Sequence, residues 1–281
     1  MSHAGSCGMD DSSATLHDDR TVRVTQGAGL SVDLNADMGE GFGRYSLDDD
    51  GLLRAVTSAS IACGFHAGDP MVMRATVMQA TARGVVVGAH PGYPDLVGFG
   101  RRDMAATPAE IEAMVVYQVG ALQAVCHAAG TELRYVKAHG ALYNRAARDR
   151  AAADAIACAI RSVDPSLALL GLASSEMMAA ADRARIRGVG EGFVDRAYNN
   201  DGTLVPRTEV GAVLEDVATI GDRAVNMIRT GTVPVREGGT LHVNVESLCT
   251  HGDGPHALAI VRTVRAAMER AGIAIAPFAR V

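Results

Sequence analysis

From Leu30 onward, short apolar runs alternate with longer stretches of helical spacing, the pattern of repeated strand–helix units wound around a parallel sheet. The runs Leu30–Asn35, Ser60–Cys63, Val85–Ala89, Leu133–Ala138, Leu167–Leu172, Gly190–Val194 and Leu241–Glu246 predict seven strands, each bounded by polar or glycine-rich residues. Ile273–Phe278 offers an eighth strand or an edge piece, and periodicity does not choose between them. Between the strands, Asp69-Pro70 supplies an N-cap and a first-turn proline for a helix ending near Gly84. Thr107 and Glu110 have capping-box spacing, ahead of an apolar face of Ile111, Met114, Val115, Gln118, Leu122 and Val125 that Gly130 closes. A further helix is expected over Glu209–Arg229, with Val213, Val217, Ile220, Ala224 and Met227 inward, and a last one after Pro255.

This order predicts an α/β chain, a TIM-like (β/α) barrel of seven strands, with residues 30–281 as one catalytic domain. Residues 1–29, rich in Ser, Asp, Gly and His without apolar periodicity, are expected to form a flexible tail. A chain of 281 residues that is 48% hydrophobic can bury a full core. Its net charge of −6, with no long basic run, points away from nucleic acid. No stretch reaches the ~20 apolar residues of a membrane span, and no charged start with an apolar core signals export. The five cysteines form no CxxC pair, which suits a reducing compartment, and the expected location is cytoplasmic.

In parallel barrels the loops after the strands share one rim, so polar residues that follow each apolar run converge in space. The first run leads to Asn35, Asp37 and Gly39-Glu40-Gly41-Phe42-Gly43, the second to His66 and Asp69, the third to His90. The fourth leads to Lys137, His139 and Asn144, the sixth to Asp195 and Arg196, the seventh to Glu246 and His251. Asp69 before Pro70 reads first as an N-cap, and the glycine run reads equally as an anion nest or a turn, without the lysine and hydroxyl of a P-loop. Carboxylates (Asp37, Asp195, Glu246), imidazoles (His66, His90, His139, His251) and cations (Lys137, Arg196) can together supply a general base, a general acid and anion binding for hydrolysis at a carbonyl. The same set can hold a divalent metal, with Asp37, His66 and His139 as candidate ligands. Residue types alone do not separate these, nor a binding protein without turnover.

The stretches Asp33–Gly43, Ile61–Asp69 and Gly88–Asp95 resemble the LamB/YcsF lactam-utilisation family. Gly98–Arg102, Lys137–Asn144, Asp195–Tyr198 with Asp201–Arg207, and Cys249–Asp253 continue the resemblance in the same order. It implies a barrel of the glycoside hydrolase/deacetylase type. It also implies a 5-oxoprolinase, a hydrolase opening 5-oxo-L-proline (pyroglutamate) to L-glutamate with ATP as co-substrate, in which this chain acts with two further subunits, B and C. Magnesium would accompany the ATP. On this reading Asp37, His66, Lys137, His139 and Asp195 are catalytic, while Asn35, His90, Arg101, Asn144, Arg196, Glu246 and His251 bind substrate. The chain departs from the family at Ala36, where cysteine is usual, at Ala138, where proline is, and at Glu246-Ser247, where an Asp-Thr pair is. No cysteine beside Asp37 can therefore be essential here. A metal-dependent amidase or deacetylase and a non-catalytic lactam-binding protein are the competing readings.

Overall fold

The strand–helix alternation folds in the order β1 (Ser31–Met38), α1 (Asp49–Leu53), β2 (Ser58–Ala62), α2 (Pro70–Ala82), β3 (Val86–His90), α3 (Pro108–Ala128), β4 (Leu133–Val136), α4 (Gly140–Ala146) and α5 (Arg150–Val163). It continues with β5 (Ala168–Leu172), α6 (Glu176–Ala184), β6 (Gly188–Phe193), α7 (Val217–Thr230), β7 (Thr232–Pro234), β8 (Thr240–His242), β9 (Ser247–Thr250), α8 (Ala257–Arg270) and β10 (Ala274–Ile275). This computed structural model describes residues 29–45, 47, 49–214, 216–250 and 257–280; the tail expected over 1–29 lies, but for Gly29, outside them, as does His251. Strands β1 to β6 pair in parallel in sequence order, and β9 pairs in parallel with both β6 and β1. That double pairing closes a barrel of seven parallel strands, the expected fold.

The two helices with readable caps, α2 and α3, start where those caps indicated. Asp69 accepts from the backbone N–H of Met71 and Val72 at the head of α2, and Thr107 and Glu110 form a complete capping box on α3. Outward-facing Leu34, Ala36, Met38, Ile61, Val87, Ala89 and Leu169 pack with Ile111, Val115 and Leu122 of α3 and Ile156 and Ile160 of α5. Each such buried Leu, Ile, Val or Met side chain stabilises the fold by about 1.5–3 kcal/mol. A second, smaller apolar cluster of Val86, Tyr135, Ala168, Leu170 and Val189, with Phe278 packed against it, fills part of the barrel interior. Phe278 meets Tyr135 edge-on, ring centroids 5.2 Å apart.

Two expected elements are corrected, and an open alternative is resolved. The seventh barrel strand is Ser247–Thr250, because Thr240–His242 pairs antiparallel with Thr232–Pro234. The alternating run from Leu241 to Val245 reads as a half-exposed strand, and it is one only in its first residues. The helix expected from Glu209 begins at Val217, since the preceding turn gives its backbone to the loop after β6: Ala197 N–H donates to Ala212 O and Leu214 N–H to Asp195 O. Val213, expected inward, is exposed there, whereas Ile220, Ala224 and Met227 are buried. The Ile273–Phe278 run contributes only the edge piece β10 beside the start of β1.

Gly88 lies opposite Tyr135 across the β3–β4 pairing, and a Cβ at position 88 would overlap the Tyr135 ring. Gly88→Ala is expected to destabilise the barrel by about 3 kcal/mol, read as a lowered urea midpoint. A second substitution that shrinks residue 135 should recover part of the loss. An unchanged midpoint in the single variant contradicts this packing.

Candidate active site

Inside the barrel, β1 presents Asp33, Asn35 and Asp37 on its inner face, and all three are buried. Lys137, just beyond β4, extends its ammonium into this interior with 2% of its side chain exposed. Its Nζ donates to Asp37 Oδ1 at 2.8 Å, Asn35 Oδ1 at 3.0 Å and Cys249 Sγ at 3.2 Å, and lies 2.9 Å from Glu191 Oε1. Glu191 in turn accepts from Asn35 Nδ2 at 3.0 Å and from the Tyr143 hydroxyl at 2.7 Å. Burial by itself pulls the Lys137 pKa down, but Asp37, Cys249 and Glu191 outweigh it and hold the ammonium well above its ordinary value. Lys137 is thus a fixed cation that orients Asp37, not a neutral amine.

Above it, the loops after β3 and β4 are joined through backbone: His139 N–H donates to Pro91 O, and Ala141 N–H to Gly100 O. This brings His66, His90 and His139 together, all buried. The rings of His66 and His139 stack with centroids 3.7 Å apart and 4° between planes, and His90 stands edge-on to both. Gly100, in the left-handed region at φ 62°, permits the stack, since a Cβ there would lie 2.7 Å from His66 Cβ and 2.9 Å from His139 Cδ2. Burial and the neighbouring imidazoles push the His66 and His139 pKa values well below the ordinary range, so both rings are neutral at neutral pH. Glu40 Oε1 faces this stack, 3.4 Å from His66 Nε2 and 3.6 Å from His139 Nδ1. Asp37 Oδ2 faces His90 Nε2 at 3.4 Å.

Asp37, His66, His90, Lys137, His139 and Asn35 therefore meet at one end of the barrel. Asp195 is buried beyond the end of β6, and Arg196 beside it is committed to backbone carbonyls, Ala212 O at 3.2 Å and Val205 O at 2.5 Å. Arg196 consequently braces the 205–212 loop. Arg101 is exposed, its guanidinium carbon 4.9 Å from the centroid of the Phe99 ring that flanks the histidine stack. Asn144 is exposed on α4, outside the buried cluster. Glu246 is displaced altogether. Because β9 begins at Ser247, Glu246 sits at the opposite, N-terminal end of the barrel, paired with Arg187 at 3.2 Å. It lies outside the buried cluster. The glycine run after β1 is no open anion nest either: Gly39 N–H donates to Asp49 and Gly43 N–H to Asp69.

Glu191 and Glu40 are site carboxylates that reading the sequence by rim position passes over. Glu191 carries a signal, a charged residue inside a buried strand, Gly188–Phe193. Glu40 lies within the run that reads as nest or turn.

The fold and site define a parallel βα-barrel with a buried lysine–carboxylate pair beneath a cluster of three imidazoles. The chain belongs to the LamB/YcsF family, which it matches over residues 32–281. It is 50% identical over 247 residues to the 5-oxoprolinase A subunit of Heliobacterium modesticaldum, covering 88% of this chain and 97% of that protein. Identity to the 5-oxoprolinase A subunit of Bacillus subtilis is 48% over 247 residues, 88% of this chain and 96% of that one. A lactam utilization protein from Thermus thermophilus, of solved structure, is 45% identical and superposes with a TM-score of 0.83, over 89% of this chain and all of that one.

Beneath Asn35, Asp33 accepts hydrogen bonds from Thr57, Ser58 and Ser247, yet burial still raises its pKa from 3.8 to about 6. Below about pH 4 it is neutral in both folded and unfolded chains; between about pH 4 and 6 the unfolded chain ionises first, so its contribution falls as pH rises. That fall is about 3 kcal/mol and is complete above about pH 6. Urea unfolding from pH 4 to 7 is expected to show a smaller loss of stability in Asp33→Asn than in the wild type. Equal losses in the two would disprove the assignment.

Proposed function

We propose that this chain is the A subunit of a 5-oxoprolinase, which with subunits B and C opens 5-oxo-L-proline to L-glutamate at the expense of ATP. The observation that carries the reading is Asp37, oriented by Lys137 and facing His90, beside two neutral imidazoles in a water-poor mouth. The names of relatives about half identical over nearly their whole length support it. A five-membered lactam is a resonance-stabilised amide, and its opening needs an activated carbonyl. In balance, 5-oxo-L-proline, ATP and two waters become L-glutamate, ADP and phosphate. The carbon–nitrogen bond breaks, one water oxygen ends on the carbonyl carbon, and the ring nitrogen takes a proton.

In this reaction Asp37 takes the proton of the attacking water, a role its fixed orientation suits, and Asp195 is the alternative base. His66 and His139 line the same buried mouth, where the departing ring nitrogen takes its proton. Arg101, exposed beside Phe99, meets the carboxylate of the lactam. The sequence carries no P-loop, and nucleotide chemistry is shared with the partner subunits.

Glutamate release should be measured with this chain, its cognate B and C subunits, ATP and 5-oxo-L-proline. Asp37→Asn and His139→Ala are each expected to lower kcat by at least ~100-fold, and Arg101→Ala to raise KM for the lactam by roughly tenfold. Wild-type turnover in Asp37→Asn and His139→Ala would remove the proposed site. Lactam opening by this chain alone, without ATP, would replace the reading with a stand-alone amidase.

A further inference from the structure

Hydrogen positions in the histidine cluster follow from its backbone partners. His90 Nδ1 lies 2.8 Å from Lys137 O, and His139 Nε2 lies 2.8 Å from Phe99 O. A carbonyl oxygen only accepts, so each ring carries its hydrogen on that nitrogen. The other two nitrogens, His90 Nε2 and His139 Nδ1, then face each other at 2.9 Å, and with no further proton or cation between them both would present lone pairs. Asp37 Oδ2 lies 3.4 Å from the same His90 nitrogen, and Glu40 Oε1 lies 3.6 Å from the same His139 nitrogen. His66, 1% exposed, has no hydrogen-bond partner at either ring nitrogen, and its Nε2 lies 3.4 Å from Glu40 Oε1. Two ring nitrogens thus meet with no hydrogen assigned between them, and a third buried ring has no partner, an arrangement that costs free energy unless a proton or a metal ion joins them.

One proton shared between His90 and His139 would answer that single contact and leave both nitrogens of His66 unsatisfied. A metal ion draws the whole cluster together. One ligand atom each from Glu40, His66, His90 and His139 lies within 4.8 Å of the others. A tetrahedral ion with bonds of about 2.0–2.1 Å spaces its ligands roughly 3.3 Å apart, close to the 2.9 Å between His90 and His139 and the 3.4 and 3.6 Å of Glu40 from His66 and His139. The hydrogen bonds from His90 and His139 to backbone carbonyls are those that orient metal-binding imidazoles.

We infer that Glu40, His66, His90 and His139 form a binding site for one divalent transition-metal ion of the zinc class. Imidazole-rich donors select against magnesium, which prefers an octahedron of oxygens, so this ion is distinct from any that accompanies ATP. Compared with the ligands expected from sequence, His66 and His139 stay, Glu40 and His90 join them, and Asp37 stands beside the set, tied to Lys137. Four protein ligands would fill the tetrahedron, so when bound such an ion would supply Lewis acidity toward a carbonyl or phosphoryl oxygen at the mouth only by taking that oxygen as a fifth ligand.

The test is binding, read without turnover. The full chain, stripped with a chelator, is titrated with cobalt(II) and then with zinc. One ion per chain is expected, with visible absorption of low-symmetry cobalt that zinc abolishes. His66→Ala and Glu40→Ala should each weaken binding by at least ~100-fold, with circular dichroism confirming that they fold. His127→Ala and His242→Ala, at exposed histidines outside the cluster, should leave it unchanged. X-ray absorption of the zinc-loaded wild type, which needs no variant, should show three imidazoles at about 2.0–2.1 Å. No stoichiometric binding, binding that survives both cluster variants, or fewer than two imidazoles around the ion would overturn the proposal. None of these readouts depends on 5-oxoproline being the substrate.

Discussion

Much of the site's geometry follows from one buried cation. The Lys137 ammonium has lost water, and the interior must return what hydration supplied, through Asp37 and Glu191 as charge partners and Asn35 as a further acceptor. Removing one partner of such a set leaves an uncompensated charge, so the interior faces of β1 and β6 and the end of β4 are chosen together. That is why the barrel carries a polar interior beside an apolar cluster around Tyr135 and Leu170. Asp33, Ser58 and Ser247 extend the same logic, each hydroxyl answering a carboxylate oxygen that cannot reach water.

The cation also sets the orientation of what stands above it. Asp37 spends one oxygen on Lys137 and turns the other toward His90. His90 is held from behind by the carbonyl of Lys137 itself, so one residue orders the site through both its side chain and its backbone. His139 is placed by the joined loops after β3 and β4, and Gly100 leaves the room that its stack with His66 requires. The preorganisation rests on backbone hydrogen bonds and strand ends, the most rigid supports a barrel offers.

Some of this is legible in the chain before it folds. Asp69 and Thr107 announce their helices through local chemistry, and both cap as expected. Polar residues after the strands mark the mouth, which is how His66, His90, His139 and Lys137 stand out. Glu246 misleads because the run from Leu241 to Val245 has a strand's alternation, while the true strand starts one residue after Glu246 with Ser247. Glu40 is hidden among glycines whose N–H groups serve Asp49 and Asp69.

By itself the sequence determined the alternation of strands and helices, their caps, the barrel class and the family, because these depend on residues within a turn or two of one another or on contiguous motifs. The tertiary structure decided which polar groups become partners. Lys137 meets Asp37 across 100 residues, and Asn35 meets Glu191 across 156, so these contacts exist only once the barrel closes and its register is set. The convergence of Glu40 with the three imidazoles belongs to the same class, since it depends on where separate loops are brought together over one end of a closed sheet.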